Sequence, residues 1–202
     1  MQRLIDLHVH TTASDGTYTP SNMVRLAKKS GLFAVAITDH DTIDGVDEAI
    51  KTANEIDMEL APGVEISVGG TDNIHILGLF INHKNEEMLK IMKRLKKNRL
   101  ERNMKMIELL QKQGFDITYE KVAGETGANN VGRMHIAKYI QKNGMVDDYR
   151  TVFRNYIVEG QSAYVAREKL AEEDGINAIL NSGGVPVLAH INYFRKSDEE
   201  VE

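Results

Sequence analysis

The chain has 202 residues, 42% hydrophobic and 27% charged, with Lys+Arg 25 against Asp+Glu 30 and a formal net charge of −5. That is enough for one well-packed soluble domain with a small insertion; the charge balance argues against a broad basic face for duplex DNA, and no apolar run is long enough to span a bilayer. The absence of cysteine excludes disulfides and thiolate metal sites, so any metal must be held by His, Asp and Glu. No signal-like apolar core precedes the first acid and histidines, and the expected location is the cytoplasm.

In chain order, residues 3–9 predict a strand. Thr19-Pro20 supplies a cap and a first-turn proline for a helix through residue 30, stopped by Gly31. Residues 33–38 form the compact apolar run of a strand buried on both faces. Asp44 is placed to cap a helix to about residue 57, and strands follow over 60–68 and 74–81. This alternation of strands and helices implies parallel βαβ units. From about residue 85 the pattern changes. Met88, Met92, Leu95, Met104, Ile107 and Leu110 fall near helical spacing and predict a long helix to residue 113, before Gly114. A polar, glycine-containing stretch around 124–130 precedes helices over 133–142 and 147–157. This middle third, without strand alternation, predicts a helical insertion. The α/β pattern resumes with a helix over 172–181, ended by Gly183-Gly184, and a strand over 185–191. The expected division is 1–99 for the first part of the α/β unit, 100–162 for the insertion and 163–202 for the second part. The charged residues 196–202 lead into no further strand, and a closed barrel needs more βα units than these. The chain therefore reads as a piece of a longer protein.

The run containing Lys93, Arg94, Lys96, Lys97, Arg99 and Arg102, with Glu101 its one acid, admits two readings. It is the solvated face of a helix or an electrostatic guide for a phosphate-bearing substrate.

His8, His10, His40, His75 and His190 all lie within predicted strands or near their C-terminal ends, the edge where ligands gather in parallel α/β folds. Carboxylates accompany them: Asp6, Asp15, Asp39, Asp41 and Glu65. Residues two apart on a strand point to the same side, so His8 and His10 can approach one cation. A bridging carboxylate such as Glu65 can hold two cations close together. Paired metals suit phosphoryl transfer, one activating water while both clamp the developing charge. Taken singly, His75 is equally a core histidine, Asp39-His40-Asp41 a turn capping the next helix, and His190 ambiguous. Recurrence on successive strands makes the joint reading a metal site.

The order His8-Val9-His10, Ser14-Asp15-Gly16, Thr38-Asp39-His40-Asp41, Pro62-Gly63-Val64-Glu65-Ile66, His75-Ile76-Leu77-Gly78 and Leu188-Ala189-His190 resembles the PHP (polymerase and histidinol phosphatase) superfamily. Gly132-Arg133-Met134-His135 and Ala163-Tyr164-Val165 look like its branch of small phosphoesterases with a helical insertion. The resemblance implies a distorted (β/α)₇ barrel, truncated here at its C-terminal end, with two or three divalent ions: manganese foremost, with zinc, iron or magnesium as alternatives. It implies His8, His10 and Glu65 at a first metal, Glu65, His75 and His190 at a second, and Asp15 and His40 at a third. Arg133, His135 and Arg167 would bind substrate phosphate. Asp39, Arg133 and His135 would form the catalytic set, Asp39 by orienting a metal-ligating histidine. The implied activity is hydrolysis of phosphate esters of nucleotides or short oligoribonucleotides by a metal-activated hydroxide. The rivals are a histidinol-phosphatase-like enzyme and a non-catalytic metal-binding module. Small phosphorylated substrates, no duplex DNA and no membrane are the expected partners, the oligomeric state staying open. Two features depart from the family pattern: Ile191-Asn192 follows His190 where proline is usual, and no later Asp-x-His motif occurs. The second departure predicts an incomplete metal cluster in this chain.

Overall fold

The computed structural model describes residues 3–69, 74–126 and 130–191. One curled sheet carries strands β1 (Ile5–Val9), β2 (Ala34–Ile37), β3 (Glu59–Val68), β4 (Ile74–Leu79) and β5 (Val185–Leu188) in spatial order β1-β2-β3-β4-β5. The first three strands are parallel, joined by helices α1 (Pro20–Lys29) and α2 (Val46–Glu55). The β3–β4 and β4–β5 pairs are antiparallel, which corrects the all-parallel expectation. Residues 69–73 are too few for a crossover, since a parallel return needs a dozen or more residues, so β3 and β4 form a hairpin.

Helix α1 follows its sequence signals. The Thr19 hydroxyl accepts the Asn22 N–H at 3.2 Å, Pro20 opens the first turn, and Lys28 and Lys29 face the negative end of the helix dipole. Gly31, at φ 80°, ends it. Its buried Val24 and Ala27 pack with Val35, Ile37, Ala49 and Ala53. Helix α2 departs from expectation. Gly45, not Asp44, holds the cap position, and Asp44 pairs with Lys96 at 2.6 Å. A side chain at Gly45 would put Cβ 2.9 Å from Pro20 Cγ, so close approach to α1 selects glycine there.

Helix α3 (Glu86–Gln111), capped by the Asn85 side chain on the Met88 N–H, joins two packed regions. Its first half contributes Met88, Met92 and Leu95 to the core with Val64, Ile66 and Val68 of β3. Its second half gives Met106, Ile107 and Leu110 to a separate core. Met104, placed on the apolar stripe by its spacing, is 46% exposed, and Met106 occupies the core instead. That second core is completed by α4 (Tyr119–Thr126), α5 (Arg133–Lys142), α6 (Tyr149–Val152) and a π turn, Phe153–Ile157. Helix α4 was not anticipated: Val122 is its one fully buried residue, so it shows almost no periodicity. The helix read over 147–157 exists but widens at Phe153 into i→i+5 pairing.

Helix α7 (Glu172–Asn181) lies on the sheet, and Gly175 approaches so closely that a Cβ there would stand 2.5 Å from Val68 Cγ1. Strand β5 stops at Leu188; Ala189 donates one more ladder bond to the His75 carbonyl, and His190 turns to φ 35°. Asn192 and the charged residues 196–202 lie outside the described residues. Among the described residues no helix is long and apolar enough to cross a membrane.

Candidate metal centre

Glu65 sits in the middle of β3 with no solvent exposure, and five imidazoles converge on its carboxylate. His8 Nε2 and His10 Nε2, from the C-terminal end of β1, lie 3.0 and 3.1 Å from Oε2. His40, just after β2, brings Nδ1 to 3.2 Å from the same oxygen. His75 Nδ1, on β4, and His190 Nε2, beyond β5, lie 2.8 and 3.0 Å from Oε1. Asp15 Oδ2 is 3.9 Å from His40 Nε2. The structure thus brings together all seven residues expected to hold metal. Three sets, His8–His10–Glu65, His10–Asp15–His40 and His40–Glu65–His75, each have their ligand atoms within 4.8 Å of one another.

The backbone fixes this arrangement. The Glu65 N–H donates to the Asp39 carbonyl and the Asp41 N–H to the Glu65 carbonyl, so the loop carrying His40 is a short extension of the parallel sheet. Asp39 is buried and accepts from the Thr11 N–H and hydroxyl, 2.7 Å each, and from the Ser14 hydroxyl. Its described bonds go to Thr11 and Ser14 and not, as expected, to a metal-site imidazole. What it orients is the 11–14 loop between His10 and Asp15. Asp6 stays outside the cluster and accepts the His8 N–H from an exposed position.

Burial alone would raise the Glu65 carboxyl, but hydrogen bonds from His10, His75 and His8 and the charge of His40 hold it far below the usual carboxylate range. Burial also opposes charge on His10, where Glu65, Asp15 and Asp39 outweigh it and raise the ring. For His40 burial wins, and the ring is pushed down to about 4. The donor set is imidazole and carboxylate only, which suits borderline and hard divalent ions.

Asp41 serves differently. Its left-handed backbone, φ 52°, aims a fully buried carboxylate away from the histidines. There it accepts the Ser67 N–H and the guanidiniums of Arg99 and Arg167, 2.6 Å each. Burial would raise this carboxyl, but Arg167 and Arg99 hold it well below its ordinary value. A 580 Å³ cavity opens beside the cluster, lined by Asp15, His40 and His75 together with Arg99, Arg102, Arg133 and Arg167. Arg133 lines it as expected, and Arg167 lines it while paired to Asp41. His135 does not: it is 8% exposed, and its Nδ1 accepts the Gly132 N–H at 3.0 Å, closing the first turn of α5. Its Nε2 is left outside that bond.

The charged run on α3 divides between its two readings. Lys93, Arg94 and Lys97 are exposed, whereas Arg99 and Arg102 are 8% and 7% exposed and face the cavity. The signal was present in the spacing. Residues 88, 92, 95, 99, 102, 106 and 110 make one helical stripe, and the two arginines sit in its middle where an apolar residue belongs. Phe153 of the cavity wall carried no comparable signal.

The sheet, the histidine–carboxylate cluster at its edge and the adjoining cationic cavity define an α/β protein with a candidate metal site. The chain belongs to the PHP domain family, whose profile matches residues 6–165. It is 35% identical over 191 residues to a 5'-3' exoribonuclease of Haemophilus influenzae, covering 94% of this chain and 69% of that one. It is 33% identical over 188 residues to a 3',5'-nucleoside bisphosphate phosphatase of Chromobacterium violaceum, covering 92% and 66%. Its fold superposes with TM-score 0.89 and 32% identity on a structure from Bifidobacterium adolescentis provisionally named a metal-dependent phosphoesterase, covering 100% and 73%. The chain spans about two thirds of the length of these curated relatives. Family and cluster together point to the use of divalent metal.

Proposed function

We propose that this chain carries the site of a metal-dependent phosphoric ester hydrolase acting on nucleotides or short oligoribonucleotides. One observation carries the reading: five imidazoles gather on Glu65, and two of them, His40 and His75, line a cavity together with four arginines. His8, His10 and Glu65 would hold one ion, Glu65, His75 and His190 a second, and Asp15 and His40, joined by His10, a third, with manganese the first candidate. Bound there, divalent ions supply an activated water and neutralise charge on the phosphoryl oxygens.

The chain's own groups do the rest. Arg133 and Arg167 bind phosphate through planar N–H forks, which match phosphate oxygens better than a lysine does. Asp39 keeps the 11–14 loop in place, so that Asp15 stays beside His40. His40, pushed down to about 4, remains neutral and able to ligate across the physiological range. No serine or cysteine nucleophile is required. Residues 100–162 are proposed as an insertion between two parts of the α/β unit, 1–99 and 163–202, that supplies the outer wall of the cavity. The relatives named for a bisphosphate phosphatase and an exoribonuclease support a nucleotide substrate over a small alcohol phosphate, since a four-arginine wall exceeds what one phosphate needs.

The test is phosphate or nucleotide release by the manganese-loaded chain from four substrates: a nucleoside 3',5'-bisphosphate, a short RNA, histidinol phosphate and an aryl phosphate. Preferential turnover of the first two is expected. Preference for histidinol phosphate, or no turnover with the site filled, would overturn the proposal.

A further inference from the structure

The loop that carries His40 is held from two sides. Toward β3, the Asp39 carbonyl accepts the Glu65 N–H and the Asp41 N–H donates to the Glu65 carbonyl. In a parallel ladder the residue between two such bonds turns its own N–H and carbonyl the other way, so β3 does not satisfy the His40 carbonyl. Asn130 Nδ2 does so instead, at 3.0 Å, from 90 residues further along the chain. Asn130 lies just before α5 and is 3% exposed. A buried primary amide has to find its partners within the protein, and this one spends an N–H on the backbone of a candidate metal ligand.

The donor is itself fixed in place. Val131 is buried in the helical core, and its carbonyl accepts Asn103 Nδ2 of α3 at 2.6 Å. Gly132 gives its N–H to His135 Nδ1 and opens α5. Three successive residues are thus tied to the His40 loop, to α3 and to the first turn of α5. Asn143, at the other end of α5, offers a contrast: its amide donates to the Tyr139 carbonyl and to Glu125 Oε2, both within the helical region.

We propose that Asn130 is a positioning residue of the metal centre. Donating to the His40 carbonyl from the side opposite β3, it keeps the His40 ring beside Asp15, so that the helical core sets the geometry of the ion those two residues would share. This rests on the reading of the cluster as the metal site of a phosphoesterase. It adds a part for the helical region that involves no contact with substrate.

The test compares wild type with Asn130→Ala and with Asn130→Leu, which keeps the volume but has no donor. Asn143→Ala is the control, loosening the helical region without touching the His40 loop. Manganese binding is titrated by calorimetry, with His40→Ala marking the step that depends on that ring, and amide exchange is followed in the metal-free protein. Leaving one carbonyl without its donor is worth about a factor of ten. In both Asn130 variants the marked manganese step should weaken by about that factor while the other steps keep their affinity. The Asp41 amide should exchange about tenfold faster, with Ala137 in α5 unchanged. Turnover of a nucleoside 3',5'-bisphosphate at limiting manganese should fall, and return at excess manganese. Asn143→Ala should match wild type in all three. Asn130 variants with wild-type manganese steps and Asp41 exchange would overturn the proposal, as would weakening of every step together with faster exchange at Ala137. If the wild-type chain binds no manganese or cleaves nothing, the phosphoesterase reading fails, and Asp41 exchange decides separately: faster exchange in the Asn130 variants upholds the anchoring of the His40 loop, and unchanged exchange overturns it.

Discussion

The sheet edge and the arginine wall are each organised around a carboxylate with no solvent exposure, Glu65 in one and Asp41 in the other. Glu65 collects imidazoles, which are neutral donors once deprotonated, so the finished cluster has lone pairs and negative charge to offer a cation. Asp41 collects guanidiniums, which cannot be deprotonated in practice, so its cluster keeps a surplus of positive charge and of N–H groups. In the proposed reading the two are complementary: one would hold metal, the other what the metal acts upon. The type of partner, not the burial of the acid, decides which.

The comparison breaks most completely at its hub. Glu65→Gln should reduce turnover by roughly a thousandfold, since several kcal/mol of charge stabilisation depend on the filled metal site. Metal analysis of the purified variant checks the cause, and full metal content with intact turnover would remove Glu65 from the centre. Next in size, Leu110→Ala in the helical core should cost about 2–5 kcal/mol by denaturant unfolding, while manganese affinity at the sheet edge stays near wild type. A parallel loss of both would mean the two regions are one cooperative unit. Manganese and sulfate should each stabilise the fold independently, by about 2.7 kcal/mol at a hundredfold excess over Kd, read as a rise in the thermal midpoint. His75→Ala should reduce the manganese increment alone, and loss of both increments together would contradict the division. The smallest effect belongs to the surface: Lys96→Ala removes the half-exposed pair with Asp44 and should change stability by no more than about 0.5 kcal/mol.

Much of the sheet edge was legible in the sequence because its signals are local. His8 and His10 share a strand face by period two, His40 and His190 follow short apolar runs, and Glu65 and His75 lie within strand-like segments. The antiparallel β4 was readable too, from the shortness of 69–73, but strand alternation outweighed it. The helical wall was harder. Arg99 and Arg102 were visible only as part of a charged run, because composition does not separate a cation that faces solvent from one that interrupts an apolar stripe. Asp41 was read as a companion of His40, and its turn to the opposite side depends on a left-handed φ that no residue type other than glycine announces. His135 carried a second role that its type does not announce: its Nδ1 accepts the bare Gly132 N–H at the start of α5.

Strand β3 has a consequence for how the protein reaches its native state. Its parallel neighbour is β2 and its antiparallel neighbour is β4, and Val64, Glu65 and Ile66 are all fully buried. A slip of one residue would exchange the acid with an isoleucine or valine, driving a charge into the aliphatic layer and a methyl group among the imidazoles. Misregistration and loss of metal are therefore the same event, so manganese uptake by refolded protein reports, molecule by molecule, whether the strands have paired correctly.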